Sequence, residues 1–159
     1  MKIKFEPGVA SGEVKAPPSK SYAHRYLIAS ALANGVSSVV GVINSKDMEA
    51  TLNCISALGV SFNYESNTVG VIGGIEKNPR ERKFNCNESG STLRFFIPIA
   101  LAFGGKNEFY GAERLMSRGV SVYEDICSKQ SISVKKENDR IIFDGPFYIL
   151  KGVFHWLKN

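Results

Sequence analysis

Residues 17–25 read Pro17-Pro18-Ser19-Lys20-Ser21-Tyr22-Ala23-His24-Arg25, a cationic and hydroxyl-rich turn that leads directly into an alanine-rich apolar segment. The two prolines favour an extended approach and Ser19 is a favourable N-cap, so this stretch predicts the start of a helix. The free N–H groups in the first turn of such a helix form a site for phosphate or carboxylate. Lys20 opposes the helix dipole at a cost of about 0.3–1 kcal/mol, which a bound anion would offset. The alternative interpretation is a capped helix with solvated charges.

The same turn recurs, because Ser89 lies 70 positions after Ser19 in a closely similar setting. Ser19-Lys20-Ser21 is matched by Ser89-Gly90-Ser91, Arg25 by Arg94, and Gly41 by Gly111. This self-similarity predicts an internal duplication with two helix N-termini built alike. We expect one unit at about residues 15–73 and a second at about 83–145, with the polar loop 73–82 as the boundary.

Periodicity predicts a helix, a strand, a second helix and then two strands in each unit. In the first we expect strands at Lys2–Phe5 and Gly12–Val14, helices at Ser19–Asn34 and Lys46–Leu58, and strands at Ser37–Val42, Val60–Tyr64 and Val69–Ile72. In the second we expect a helix at Gly90–Phe103 bent at Pro98, a strand at Glu108–Tyr110, a helix at Val120–Ser128, and strands at Ile132–Lys136 and Arg140–Phe143. The first helix is apolar around most of its axis, whereas the strands alternate. The predicted fold class is therefore α/β, with buried helices and an outer sheet.

Composition and charge limit the classes of function. The chain has 159 residues, of which 43% are hydrophobic and 22% charged, as in an ordinary globular protein. A formal net charge of +5 suits anionic partners, but the Lys and Arg residues are dispersed, which disfavours nucleic-acid binding. The longest apolar run, residues 93–103, contains Arg94 and is too short to cross a bilayer. We expect no membrane partner.

Cysteine usage and the N-terminus favour a cytoplasmic protein. Cys54, Cys86 and Cys127 are odd in number and widely spaced, so neither a disulfide framework nor a zinc site is expected. Cys86 stands near the second turn, and a reactive thiol there is a minor alternative. The segment before residue 7 lacks the apolar core of a secretion signal. We expect no metal and no cofactor.

A third cationic cluster follows at Gly111-Ala112-Glu113-Arg114-Leu115-Met116-Ser117-Arg118-Gly119. Arg114 and Arg118 stand four residues apart between a predicted strand and a predicted helix, where the helix dipole again disfavours cations. An ordinary surface pair between Glu113 and an arginine, worth at most about 1 kcal/mol, is the alternative.

Three motifs in this order resemble the 5-enolpyruvylshikimate-3-phosphate synthase family: Ser19-Lys20-Ser21-x-x-His24-Arg25, Glu88-Ser89-Gly90-Ser91-Thr92-Leu93-Arg94, and Gly111-x-Glu113-Arg114-Leu115-x-x-Arg118. The resemblance implies transfer of the enolpyruvyl group of phosphoenolpyruvate to the 5-hydroxyl of shikimate 3-phosphate, with release of phosphate. It also implies a fold of two domains, each built from three β-α-β-α-β-β units with the helices inside.

The resemblance implies a role for each matching residue. Lys20 would contact both substrates and act in catalysis, while Ser21 and Arg25 would hold shikimate 3-phosphate. The backbone of Gly90 and the guanidinium of Arg114 would bind phosphoenolpyruvate, supported by Arg94 and Arg118. Both substrates are small polyanions, for which preorganised N–H groups and forked guanidinium groups are suitable ligands.

The chain departs from the family in two positions and in extent. Glu88 stands where asparagine is often found, and Gly119 where a proline usually follows. The resemblance covers residues 2–145, whereas residues 146–159 match nothing recognised. We expect residues 1–145 to be a truncated part of the family's N-terminal domain that supplies one wall of the site, with self-association through the surface left uncovered.

Two alternatives remain open. The first is a non-catalytic module that binds phosphate or another anion. The second is the sibling enolpyruvyl transferase that acts on UDP-N-acetylglucosamine. The sibling is disfavoured because its Lys-Asn pair would fall at Lys20-Ser21, and its reactive cysteine loop has no counterpart around Glu113-Arg114-Leu115.

Overall fold

The two copies of the repeat form two separate sheets in a computed structural model, which describes residues 3–4, 7–9, 11–75 and 81–145. The first copy comprises α1 (Lys20–Leu32), β1 (Gly35–Val40), α2 (Lys46–Ala57), β2 (Ser61–Glu65) and β3 (Thr68–Gly73). The second comprises β4 (Arg82–Asn85), α3 (Gly90–Phe103), β5 (Lys106–Tyr110), α4 (Glu113–Met116), α5 (Ser121–Ser128), β6 (Ser133–Lys136) and β7 (Arg140–Asp144).

Strand order repeats between the two sheets. The first sheet has the order β1-β3-β2 and the second has β4-β5-β7-β6. In each, the long hairpin of the copy (β2 with β3, or β6 with β7) is antiparallel, and its second strand pairs antiparallel with the strand that follows the first helix. β4 adds a parallel partner to β5. The predicted α/β class of repeated units is thus confirmed.

Serine caps fix where the three longest helices begin. The side-chain oxygen of Ser19 accepts a hydrogen bond from the backbone N–H of Tyr22 at 3.4 Å, and that of Ser45 from Met48 at 3.4 Å. Ser89 accepts from Thr92 at 3.3 Å. Each cap satisfies one of the orphan N–H groups of the first turn, which is worth about 1 kcal/mol. The predicted helix starts are therefore correct to within one residue.

The hydrophobic core lies between the helices and the two sheets. Phe84 of β4 stacks on Phe109 of β5 with ring centroids 4.7 Å apart, and Phe109 meets Phe143 of β7 edge-on at 5.8 Å. α2 contacts both α1 and α3, and its Met48 and Ile55 are fully buried. The core thus continues from one copy into the other through α2.

Two predictions about the first copy are wrong. α1 is not buried on most sides. It buries Leu27 and Ala31 but leaves Tyr22 63% and Tyr26 57% exposed. The two tyrosine rings stack on each other at 5.9 Å on the outer face, which suits side chains with a polar tip. Residues 12–14 form no strand, and Val14 is 92% exposed, because a single apolar residue ahead of two prolines cannot support a ladder.

Other differences are small. The predicted helices and strands that formed have bounds within two residues of those predicted, and Pro98 lies inside α3 with its side chain facing solvent. No bounds were predicted for β4 or α4. The predicted strand Lys2–Phe5 and loop 73–82 lie partly outside the described residues, and residues 146–159 lie wholly outside them.

Matched valine substitutions test the inner and outer faces of the first sheet. Val71 of β3 is fully buried, whereas Val36 of β1 is 83% exposed. We expect Val71→Ala to lower the free energy of unfolding by about 2 kcal/mol, because it removes buried methyl groups and leaves a cavity. Val36→Ala should change it by less than about 0.5 kcal/mol. Urea denaturation of both variants measures the difference, and equal losses would contradict the assignment of faces.

Candidate functional site

The N-terminus of α1 carries an ion pair with α2. Lys20 Nζ lies 3.5 Å from Oδ2 of Asp47, which sits in the first turn of α2, and both side chains are more than one third exposed. Asp47 thus offsets part of the charge that Lys20 places against its helix dipole. The sequence prediction missed this partner, although an acidic residue just after Ser45 is typical of a helix N-terminus.

Arg25 turns back over its own helix and toward α3. Its Nη1 donates to the backbone carbonyl of Ser21 at 2.7 Å, and its guanidinium carbon lies 5.1 Å from the ring centroid of Phe95. This stacking and the carbonyl bond hold the guanidinium on the face that carries Ser21. Ser21 and Arg25 therefore lie on one side of α1.

Two guanidinium groups crowd the N-terminus of α3. Arg94 Nη1 donates to the carbonyl of Gly90 at 3.4 Å. A Cβ on Gly90 would lie 2.9 Å from Arg94 Nη1 and 3.6 Å from Arg118 Nη1. The absence of a side chain at Gly90 therefore leaves this backbone open beside two cations, an arrangement that favours an anion.

The loop between β5 and α4 is fastened to the turn that precedes α3. Ala112 N donates to the carbonyl of Asn87 at 2.8 Å, and a Cβ on Gly111 would lie 2.8 Å from the same carbonyl oxygen. Close approach of the two backbones thus requires glycine at position 111. Arg118, which follows α4, lies close to Gly90, whereas the exposed Arg114 guanidinium has no side-chain partner among the described residues.

A chain of buried hydrogen bonds joins the three helices. His24 Nδ1 lies 2.7 Å from Thr51 Oγ1, Thr51 Oγ1 lies 2.9 Å from Thr92 Oγ1, and the Thr92 hydroxyl donates to Ser89 Oγ at 2.8 Å. All four residues are at most 4% exposed. We call them the hydroxyl relay. Sequence reasoning did not find it, because Thr51 belongs to no motif and meets its partners only in the folded chain.

The environment of His24 favours the neutral ring. Burial lowers the pKa of His24 below its ordinary value, and Lys20 and Arg25 lower it further, while Asp47 opposes the shift. A neutral imidazole has one N–H and one lone pair, so its bond to Thr51 fixes how the protons are arranged along the relay.

An open cavity of about 490 Å³ lies beside these turns. Its lining includes three acidic side chains, Glu49, Glu88 and Asp139, against a single lysine, Lys46. This balance of charge is unfavourable for a polyanion. Glu88, one of the two departures noted in the sequence, therefore belongs to an acidic surface next to the cationic turns.

Thiols and metal ligands complete the inventory. The Cys54 and Cys86 sulfurs are 4.0 Å apart and both residues are buried. The hydrogen bond with Cys86, followed by burial, raises the pKa of the Cys54 thiol, which disfavours the nucleophilic thiolate of Cys54. In the described parts of the chain, no three His, Cys, Asp or Glu side chains cluster as metal ligands, and no helix is long and apolar enough to cross a membrane.

Repeated β-α units, each with a serine-capped helix N-terminus beside cationic side chains, define the class as an α/β protein. Residues 6–141 match the family described as EPSP synthase (3-phosphoshikimate 1-carboxyvinyltransferase). The chain belongs to this family.

Curated relatives agree on the family name. A 3-phosphoshikimate 1-carboxyvinyltransferase of Clostridium beijerinckii is 43% identical over 137 residues, covering 82% of this chain and 32% of the relative. Those of Clostridium novyi and Clostridioides difficile are 37% and 40% identical, with 38% and 34% of their lengths covered. The chain therefore spans about a third of the length of these relatives.

Solved structures agree on the fold. Two structures of EPSP synthase from Acinetobacter baumannii match with TM-scores of 0.70 and 0.67, at 22% and 21% sequence identity. Each match covers 84% of this chain and 32% of the solved chain.

A methyl group at Gly90 should weaken anion binding without unfolding the chain. In Gly90→Ala the Arg94 guanidinium must move away, because the new Cβ would lie 2.9 Å from Nη1. We expect about tenfold weaker binding of inorganic phosphate, the cost of one charge-assisted hydrogen bond. Gly70→Ala is the control, since its Cβ would meet only Asn63 O at 3.9 Å. Calorimetric titration decides, and unchanged affinity in Gly90→Ala would contradict the site.

His24 should make stability depend on pH. Its pKa is lowered in the folded chain, so its contribution is complete above the ordinary value of 6.5 and is lost as the pH falls below it. The loss cannot exceed about 1.4 kcal/mol per pH unit, the limit for one proton. Urea denaturation from pH 7.5 to 5.5 should give a shallower slope for His24→Gln than for the unmodified chain. Equal slopes would show that His24 does not cause the dependence.

Proposed function

We propose that this chain supplies one wall of an active site that transfers the enolpyruvyl group of phosphoenolpyruvate to the 5-hydroxyl of shikimate 3-phosphate and releases phosphate. This transferase reaction belongs to the shikimate pathway to chorismate and the aromatic amino acids. The observation that carries the proposal is the pair of cationic, serine-capped helix N-termini, joined by buried hydrogen bonds, in a chain of this family.

Each predicted residue keeps its proposed role. Lys20 contacts both substrates and is the catalytic residue on this wall, and its exposed side chain beside Asp47 is consistent with that role. Ser21 and Arg25 bind shikimate 3-phosphate, and their meeting on one face of α1 supports this pairing.

Phosphoenolpyruvate is proposed to bind at Gly90 and Arg114, with Lys20 reaching it from α1. Arg94 and Arg118 support the site, because their guanidinium groups already stand beside Gly90. Fixed N–H groups and guanidinium groups stabilise charge without reorganising during the reaction, which is a large source of catalysis.

The remaining parts of the site are proposed to correspond to the parts of the relatives that lie outside the region matched here. Proton transfer to the vinyl carbon and from the 5-hydroxyl needs a positioned acid and base, which typically contribute 10²–10⁴-fold. A second wall would also exclude water. The share of the relatives that is covered, 32% in the first case, supports a partial site.

Residues 1–145 are proposed to be part of an N-terminal domain with two repeat units, at about 15–73 and 83–145. The equivalent strand orders of the two sheets support this division. Residues 146–159 are left without a role. We propose the cytoplasm as the compartment, which three free buried thiols support.

Self-association is proposed through the outer face of α1 and β1. β1 pairs only with β3 among the described strands, so its other edge is unpaired, and Val36 and Val40 are 83% and 75% exposed. Tyr22 and Tyr26 continue this apolar surface onto α1. Unpaired edges beside apolar side chains favour contact with a second copy.

The chain alone should bind substrate without turnover. We expect weak binding of shikimate 3-phosphate by calorimetry, weakened further in Arg25→Met, and no phosphate release when phosphoenolpyruvate is added. Failure to bind shikimate 3-phosphate but binding of UDP-N-acetylglucosamine would favour the sibling transferase. Binding of inorganic phosphate alone would favour a non-catalytic module.

The control for the turnover assay is Arg114→Ala. Phosphate release by the unmodified chain that this substitution abolishes would show that one wall is sufficient, and the division of the site proposed above would then be wrong.

A further inference from the structure

The hydroxyl relay has a single direction, which follows from counting protons. The Thr92 hydroxyl donates its one proton to Ser89 Oγ, so it can only accept from Thr51. The Thr51 hydroxyl then has no proton left for His24, and it must accept from the ring N–H at Nδ1. The relay therefore runs from His24 through Thr51 and Thr92 to Ser89, with His24 protonated at Nδ1.

The last hydroxyl of the relay keeps its own proton. Ser89 Oγ accepts from the Thr92 hydroxyl at 2.8 Å and from the Thr92 backbone N–H at 3.3 Å, which uses its acceptor capacity. Among the described residues, no acceptor receives the Ser89 proton, although the residue is only 3% exposed. A buried donor without a partner costs free energy unless a ligand supplies the acceptor.

Ser89 is adjacent to Gly90, where Arg94 and Arg118 gather positive charge. We propose that the Ser89 hydroxyl donates a hydrogen bond to the anionic substrate at the Gly90 turn, and that His24, Thr51 and Thr92 are positioning residues that hold it in the donating orientation. The identity of the substrate, phosphoenolpyruvate, rests on the proposed function. The direction of the relay does not depend on it.

The relay also fixes the distance between the two anion turns. Thr51 belongs to α2, His24 to α1 and Thr92 to α3, so one hydroxyl is bonded to both helices whose N-termini face the substrates. Hydrogen bonds between buried groups restrict sliding more than apolar packing does, because each has a narrow range of distance and angle. Changing Thr51 should therefore affect both turns together.

The first test measures the direction of the relay without ligand. Ring ¹⁵N spectra of His24 at pH 8 should show the proton on Nδ1 in the unmodified chain. Thr51→Val, which keeps the shape but removes the hydroxyl, should shift the ring toward the Nε2-protonated form, and Thr51→Ser should restore Nδ1. A ring protonated at Nε2 in the unmodified chain would overturn the relay.

The second test titrates the chain with phosphoenolpyruvate in the presence of shikimate 3-phosphate and follows the Gly90 amide. Ser89→Gly keeps a tolerated helix cap and should bind phosphoenolpyruvate about tenfold more weakly, as expected for one hydrogen bond to a charged group. Thr92→Val should weaken binding in the same direction, while Thr92→Ser should bind like the unmodified chain.

The outcomes separate the two levels of the argument. Equal affinity in Ser89→Gly and the unmodified chain would overturn the Ser89 contact while leaving the proposed function standing. No response at Gly90 in the unmodified chain would overturn the proposed function and the contact together. An amide spectrum of Ser89→Gly that remains dispersed, with weakened binding, supports the proposal because the fold is then intact.

Discussion

Thr51 holds together the three helices on which the site depends. Its hydroxyl is fully buried, yet it lies within hydrogen-bonding distance of both His24 and Thr92. A buried polar group left unpaired costs about 1–3 kcal/mol, so the helices must keep the spacing at which these bonds form. Apolar contacts from α2 stabilise the core, but they tolerate small shifts. The hydroxyl relay restricts the helices to the spacing at which its bonds form, and it therefore sets the separation of the α1 and α3 turns.

The two copies of the repeat share a topology but differ in the elements that flank their sheets. In the second copy, β4 covers the edge of β5 and leads into the turn before α3. In the first copy, the described residues before α1 form no strand, and β1 has only β3 as a partner among the described strands. The outer residues of α1 and β1 are accordingly exposed. The same local pattern thus gives a strand paired on both edges in the second copy and a strand paired on one edge in the first, because burial depends on what lies beside the sheet.

Local signals in the sequence predicted much of this structure. Ser19 and Ser89 marked two helix starts, and the alternating strands appeared close to their predicted bounds. The misses are of a different kind. Asp47 beside Lys20 and Thr51 between His24 and Thr92 join residues more than 25 positions apart, which no local pattern encodes. The predicted burial of α1 was wrong for the same reason. Periodicity gives the composition of a helix face, but it does not show which element packs against that face.

The two turns differ in how their positive charge is balanced. Lys20 pairs with Asp47, but both groups are well exposed, and such pairs contribute at most about 1 kcal/mol. A ligand with two or more negative charges can therefore displace or share the Asp47 contact at little cost. Arg94 and Arg118 form no ion pair with any of the described residues, so no acidic side chain among them neutralises the positive charge beside Gly90. At the first turn a nearby carboxylate thus offsets part of the positive charge, whereas at the second turn no carboxylate of the described residues does so. Because the relay joins the two helices, a shift of either turn would alter hydrogen bonds that reach the other turn.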